Sequence, residues 1–338
     1  MTPVEIAARS ALVVHLSPAP RSRELPAALS AQTVPLSALA QVIVTHEDLT
    51  PGEQDGLREQ LGCAQLRFVR VDPALPSFDV QYMGFFAVDA RRCDWVVFGH
   101  SDCLPGPHWL HALLQPFGRR HPPAAVAGRT SYDLHLAGLA QTALDFHFPP
   151  APHRCGDVRT LDAHNMALRC DSFGRFARQA QAGVEGSQGR LLGLALVEAG
   201  LRIQEAPQAH AIQRRTPGLA GVLSERWRQG RIAAGVAPHL LRARLPVPLQ
   251  GLARSGPLGP LALTALRTLA ALRALNHQSL PRVRGLRRLA AWACILGAAL
   301  VTSVSAVAHG FRGLGAPTAR GLRPAKALHT DFANSRLW

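Results

Sequence analysis

The tripeptide His100-Ser101-Asp102 ends an apolar run, Trp95 to Phe98, and precedes a proline turn, Leu104-Pro105-Gly106-Pro107. Residues at i and i+2 of an extended segment point the same way, so His100 and Asp102 can face one site. An aspartate at such a strand end can hold a divalent cation on a nucleotide diphosphate, because these cations take hard oxygen ligands and neutralise departing phosphates. A histidine beside it can act as a borderline ligand. The competing reading is a loop cap, with Asp102 closing the turn before Pro105. Spacing alone leaves the two even. A second polar cluster, His46-Glu47-Asp48, ends the apolar run that begins at Gln41.

Other chemistries lack their residues. The 15 histidines include no H-x-x-x-H or H-E-x-x-H spacing, so a catalytic zinc has no support. No serine lies in a G-x-S-x-G elbow and no Walker-type phosphate loop is present. The six cysteines (63, 93, 103, 155, 170, 294) form no C-x-x-C pair. They give neither a zinc site nor a disulfide framework and fit a reducing compartment. The N-terminus carries no secretory pattern, since the apolar run after Arg9 is too short.

The elements that must position these clusters are legible as alternating strands and helices. Strands are expected at "ALVVHL" from Ala11, "QVIVTH" from Gln41, "AQLRFVRVD" and "WVVFGH". Helices are expected at "LPAALSAQ", "EQDGLREQLG" and "YMGFFAVDARRC" between them. The alternation argues for an α/β sheet of mostly parallel strands. Both polar clusters then fall at C-terminal strand ends, where such sheets bind ligands. Further on, a helix is expected to start at Asp171, "GRLLGLALVEAG" reads as a helix ending at Gly200, and "LRIQEAP" as a short strand stopped by Pro207.

Charge divides the chain. Residues 1–213 hold 18 basic and 20 acidic residues, whereas residues 214–338 hold 19 basic and two acidic, Glu225 and Asp331. A tail this basic implies a polyanionic partner. It has few aromatics for base stacking, so an anionic membrane surface is expected rather than nucleic acid. Leu289 to Ala308 is 20 residues without a charge, the length that crosses a bilayer. Leu258 to Leu275 is apolar but broken by Arg267 and Arg273, and reads equally as an interfacial helix or a span.

In order and spacing, these segments resemble the family 2 glycosyltransferases, inverting enzymes of GT-A fold. The resemblance covers most of residues 10–235. "VVFGHSDCLPGPHWLHALL" looks like their strand–DxD–Pro-x-W-L segment, and "VIVTHED" stands in place of their nucleotide-contacting strand end. "VAGRTSYD" sits where they have a Gly-containing strand. "HNMALRCDSFGRF" resembles the stretch near their acceptor. "LLGLALVEAGLRIQEAPQAHAI" and "SERWRQGRIAAG" are similar to the segments that close the domain.

The resemblance implies an α/β GT-A-type nucleotide-diphospho-sugar transferase fold, a mostly parallel mixed sheet flanked by helices, over residues 1–235. A basic, helical, membrane-associated region, 236–338, would follow, with a transmembrane helix over 289–308. The implied activity is transfer of a sugar from a nucleotide-sugar donor to a hydroxyl of a glycan or lipid-linked acceptor, on the cytosolic face of the cytoplasmic membrane. A divalent cation, Mn2+ or Mg2+, would be held by Asp102 and His100. His46, Glu47, Asp48 and Ser101 would bind the nucleotide, and Glu185 would be the catalytic base. Asn165, Arg226 and Trp227 would meet acceptor or diphosphate. The chain departs from the pattern at His46, His100 and Gly186, where the family has aspartates, and at Gln213, where it has histidine. These departures support a second reading, a non-catalytic relative that binds a nucleotide or a partner.

Overall fold

The computed structural model describes residues 1–17, 24–63, 65–132, 135–146, 158, 160–181, 186–214, 219–244, 256–275 and 285–315. After a short helix α1 (Pro3–Ala7), strands β1 (Ser10–Leu16), β2 (Gln41–His46), β3 (Leu66–Arg70) and β4 (Trp95–His100) form where the apolar runs predict them. Helices α2 (Glu24–Ser30), α3 (Pro51–Leu61) and α4 (Ser77–Phe86) connect them. The start of α3 is set locally. Thr50 and Glu53 form a reciprocal capping box and Pro51 occupies the first turn, where its missing N–H is harmless.

These four strands pair in the order β3–β2–β1–β4, all parallel. β1, β2 and β4 are buried along their whole length, which explains their continuous apolar runs. The second half of the eight-stranded sheet is mixed. Next in chain order are β5 (Cys103–Pro105), α5 (Trp109–Leu114), β6 (Ala125–Ser131), α6 (Leu136–Asp145), β7 (Met166–Arg169), α7 (Cys170–Gln181), α8 (Gln188–Glu198) and β8 (Ile203–Gln213). The order continues β4–β7–β6–β8–β5, with β7 antiparallel to both neighbours, β6 parallel to β8 and β5 antiparallel to β8.

One local expectation is corrected here. The strand at "LRIQEAP" does not stop at Pro207 but runs on to Gln213. Its register against β6 jumps between Gly128 and Arg129, from Ala206 to His210. Pro207 falls in this irregularity, where a residue without an N–H breaks no ladder bond.

Two polar centres tie the layers together. Asn165, fully buried, accepts from the Trp109 indole at 2.8 Å and donates to Thr130 Oγ1 and the Ala209 carbonyl. It thereby joins α5, β6 and β8. Gly128 is required opposite it, because a β-carbon there would sit 1.9 Å from Asn165 Oδ1. The second centre is Asp145 at the end of α6. The Arg226 guanidinium, 2% exposed, forks onto its carboxylate, and Arg267 donates to it and to the Leu144 carbonyl.

Arg226 and Arg267 lie on α9 (Leu219–Arg244) and α10 (Leu258–Ala274), which with α11 (Leu286–Gly315) form a helical layer. α9 is continuous across residue 235. α11 crosses it closely at Gly230, where a β-carbon would meet the Thr302 carbonyl and Ser305 at 2.5 Å. α11 contains the charge-free run, and among the described residues its Leu286–Gly310 portion is the one helix long and apolar enough to cross a membrane.

Removing the carboxylate of Asp145 leaves two buried guanidiniums without their counter-charge. Asp145→Ala is expected to lower stability by about 3–5 kcal/mol, read as a fall in the urea midpoint. Asn165→Leu takes the side-chain partner from the buried Trp109 N–H and the Ala209 carbonyl and is expected to cost about 2–4 kcal/mol by the same measurement.

Candidate functional site

Parallel pairing brings the ends of β1, β2 and β4 to one edge, and each ends on or near a histidine. His15 pairs across the ladder with Thr45 on one side and His100 on the other. The His15 and His100 rings lie 5.1 Å apart, and His164, just before β7, stacks on His100 at 4.4 Å. Burial, reinforced by the neighbouring imidazoles, pushes His15 down to about 4 and His100 well below the usual histidine range. His46, lowered by burial and by Arg70, accepts from the Leu49 N–H through Nδ1 and so caps the turn after β2. His15, His46 and His100 are therefore neutral near pH 7.

Asp102 is placed by its backbone. Its N–H donates to His100 Nδ1 at 3.1 Å, and its carbonyl accepts from the Arg214 N–H at the end of β8. The carboxylate projects outward, 52% exposed, with Oδ2 3.5 Å from His100 Nδ1. His100 is buried and its Nδ1 lone pair is engaged by Asp102. His100, expected as a metal ligand beside Asp102, meets it through a hydrogen bond within the turn. Ser101 is buried and accepts from the Ser17 N–H, fastening the end of β1 to that of β4.

The residues fit a divalent cation in one form. Among the described residues no group of three or more His, Cys, Asp and Glu side chains could hold a metal ion. A cation carried by a diphosphate needs only one or two protein carboxylates, and Asp102 supplies one.

Beside these strand ends a cleft of about 450 Å³ is lined by Glu47, Asp48, Arg70, Val71, Asp72 and Pro73. It opens at the C-terminal ends of β2 and β3. Arg70 is fixed by donating its Nε–H to the Glu47 carbonyl, and Glu47 lies 3.9 Å from His15 Nε2. Glu47 and Asp48 thus share one concavity. Arg70, Asp72, His15 and His164 belong to the same edge and were not anticipated. Their signal was available, since His15 and Arg70 end apolar runs just as His46 and His100 do.

The remaining expected residues that are described are dispersed. Asn165 and Arg226 are engaged inside the fold as described. Trp227, the next residue of α9, is 46% exposed and packs edge-on against His309 of α11. Glu185 lies outside the described residues; Gly186, immediately after it, approaches Arg228 and Ile232 of α9. Asp162 lies nearer the site. Its carboxylate is hydrogen-bonded by the Thr130 hydroxyl and the His164 N–H.

No protein-family model matches the sequence, and no curated protein matches it. Solved structures do match the fold. One is a mannosyltransferase from Pyrobaculum calidifontis in complex with GDP-Man and Mn2+, 14% identical, with a TM-score of 0.56, covering 88% of this chain and 87% of its own. At that identity the likeness is one of fold.

Proposed function

We propose that this chain is a GT-A-type glycosyltransferase that moves a sugar from a nucleotide-sugar to a hydroxyl acceptor with inversion, on the cytosolic side, where nucleotide-sugars are made. The observation that carries the reading is the cleft at the ends of β2 and β3, on the same sheet edge as an outward-facing aspartate just past β4. Ligands of open α/β sheets bind at this edge. The fold shared with the GDP-Man-bound mannosyltransferase supports it.

In this reading Glu47, Asp48, Arg70 and Asp72 hold base and ribose in the cleft. Asp102 holds the divalent cation that accompanies the diphosphate, and that cation supplies positive charge to the leaving group when bound. Ser101 and His100 act by positioning Asp102. The acceptor oxygen bonds to the anomeric carbon as the bond from that carbon to the diphosphate oxygen breaks, and the electron pair leaves with the diphosphate. Glu185 takes the acceptor's proton. The neutral histidines add no positive charge to this edge, which suits one that receives a cation.

Isothermal titration with GDP-mannose and UDP-glucose, with and without Mn2+, tests the site. Asp48→Ala is expected to weaken donor binding tenfold or more, and Asp102→Ala to remove the Mn2+-dependent part of that binding. Glu185→Gln should leave donor binding intact while lowering turnover about 10²–10⁴-fold. Binding that none of these changes alters would refute the assignment.

The same histidines set an acid limit on the fold. His15 has a folded value of about 4 against 6.5 for the free side chain, so the unfolded chain binds the extra proton between them. Stability therefore falls as pH drops from 6.5 towards 4, by about 3 kcal/mol for this group. Urea midpoints measured across that range without metal should show the slope, and His15→Gln should flatten it.

A further inference from the structure

The long helix α11 has a buried face and an exposed apolar one. One stripe, Ala291, Ile295, Ala299, Thr302, Ser305 and Ala306, is buried. Ala291 and Ile295 pack with Ala140, Ala143 and Leu144 of α6, and Ala306 with Ile232 and Val236 of α9. Ser305 donates to the Trp227 carbonyl. This contact runs nearly the whole length of the charge-free segment. The opposite stripe, Leu289, Leu296, Leu300 and Val304, is more than half exposed. α10, packed on the same helices, turns Leu258, Leu266 and Leu269 outward and ends that stripe on the exposed Arg273.

A helix that spans a bilayer alone is bathed in lipid on all sides. α11 instead leans along its length on α6, which packs on the sheet, and on α9, which exposes Arg231 and Arg242. Threading α11 through a membrane would carry those arginines to bilayer depth, at a few kcal/mol each. We infer that α11 does not span the membrane but lies in its plane, with the outer faces of α10 and α11 inserted into an anionic lipid surface. The charge around that face fits such a partner. Exposed Arg273 and Arg287 border it, Arg288 lies over the Trp292 ring at 4.9 Å, and Glu225, the one acidic residue of the described helical layer, is paired with Arg228. Basic residues flanking an apolar helix face are the pattern of in-plane membrane helices.

The experiment uses the full chain added to preformed vesicles, either purely phosphatidylcholine or with about a third phosphatidylglycerol, a composition that gives an anionic surface. Co-sedimentation should require the anionic lipid and weaken in high salt. Leu296→Glu/Leu300→Glu should weaken it at least tenfold while leaving nucleoside diphosphate binding unchanged, which separates this inference from the transferase reading. Topology is read with a membrane-impermeant maleimide on Leu286→Cys and Arg312→Cys, in a Cys155→Ser/Cys294→Ala background. Both should be modified without detergent. Protection of one of the two until detergent is added would show a span. A wild-type chain that ignores vesicles and dimerises through this face by light scattering would place a second copy there. Either result overturns the inference.

Discussion

Parallel pairing of β3, β2, β1 and β4 forces four strand ends onto one edge, and what the chain places at those ends follows from that constraint. Buried parallel strands are apolar throughout, so the first polar residues after each must be accommodated together. Here they are His15, His46, Arg70 and His100, then Glu47, Asp48, Asp72 and Asp102. The buried ones, His15, His46 and His100, are made compatible by neutrality and local hydrogen bonds, while Arg70 and Asp102 reach solvent. The result is a neutral imidazole floor beneath a carboxylate rim.

Asp145 plays the corresponding part for the helices. It is the point where α6, which follows a sheet strand, meets the guanidiniums of α9 and α10. A buried ion pair adds little net stability over apolar packing but is costly to break. Its effect here is to fix which face of α9 turns inward. Arg226 is thereby committed to the interior, and its neighbour Trp227 is left on the surface.

The first half of the sheet was readable because continuous apolar runs ending in polar clusters have few other solutions. The second half was readable only in part: its elements at Val126, Asp171, Gly189 and Ile203 were expected, their pairing was not. β7 is four residues long and antiparallel, and β8 passes through a proline by shifting register, which no local pattern announces. The site was legible to the same extent. Glu47, Asp48 and Asp102 could be placed from strand ends alone. Asn165 and Arg226 matched a motif by spacing, yet their partners, Trp109 and Asp145, lie 56 and 81 residues away and set their environment. Residue type predicts what a side chain can do, while burial decides what it touches.

Gly230 has a wider meaning. By admitting the backbone of α11 to within contact of α9, it packs the helix whose outer face is apolar directly onto the helix whose inner face is anchored through Arg226 and Asp145. In the proposed setting, with that face on lipid, the cleft would stand at a constant height and tilt above the bilayer. The fold would then act as a ruler, favouring an acceptor group that protrudes to that height over deeper or more distant ones.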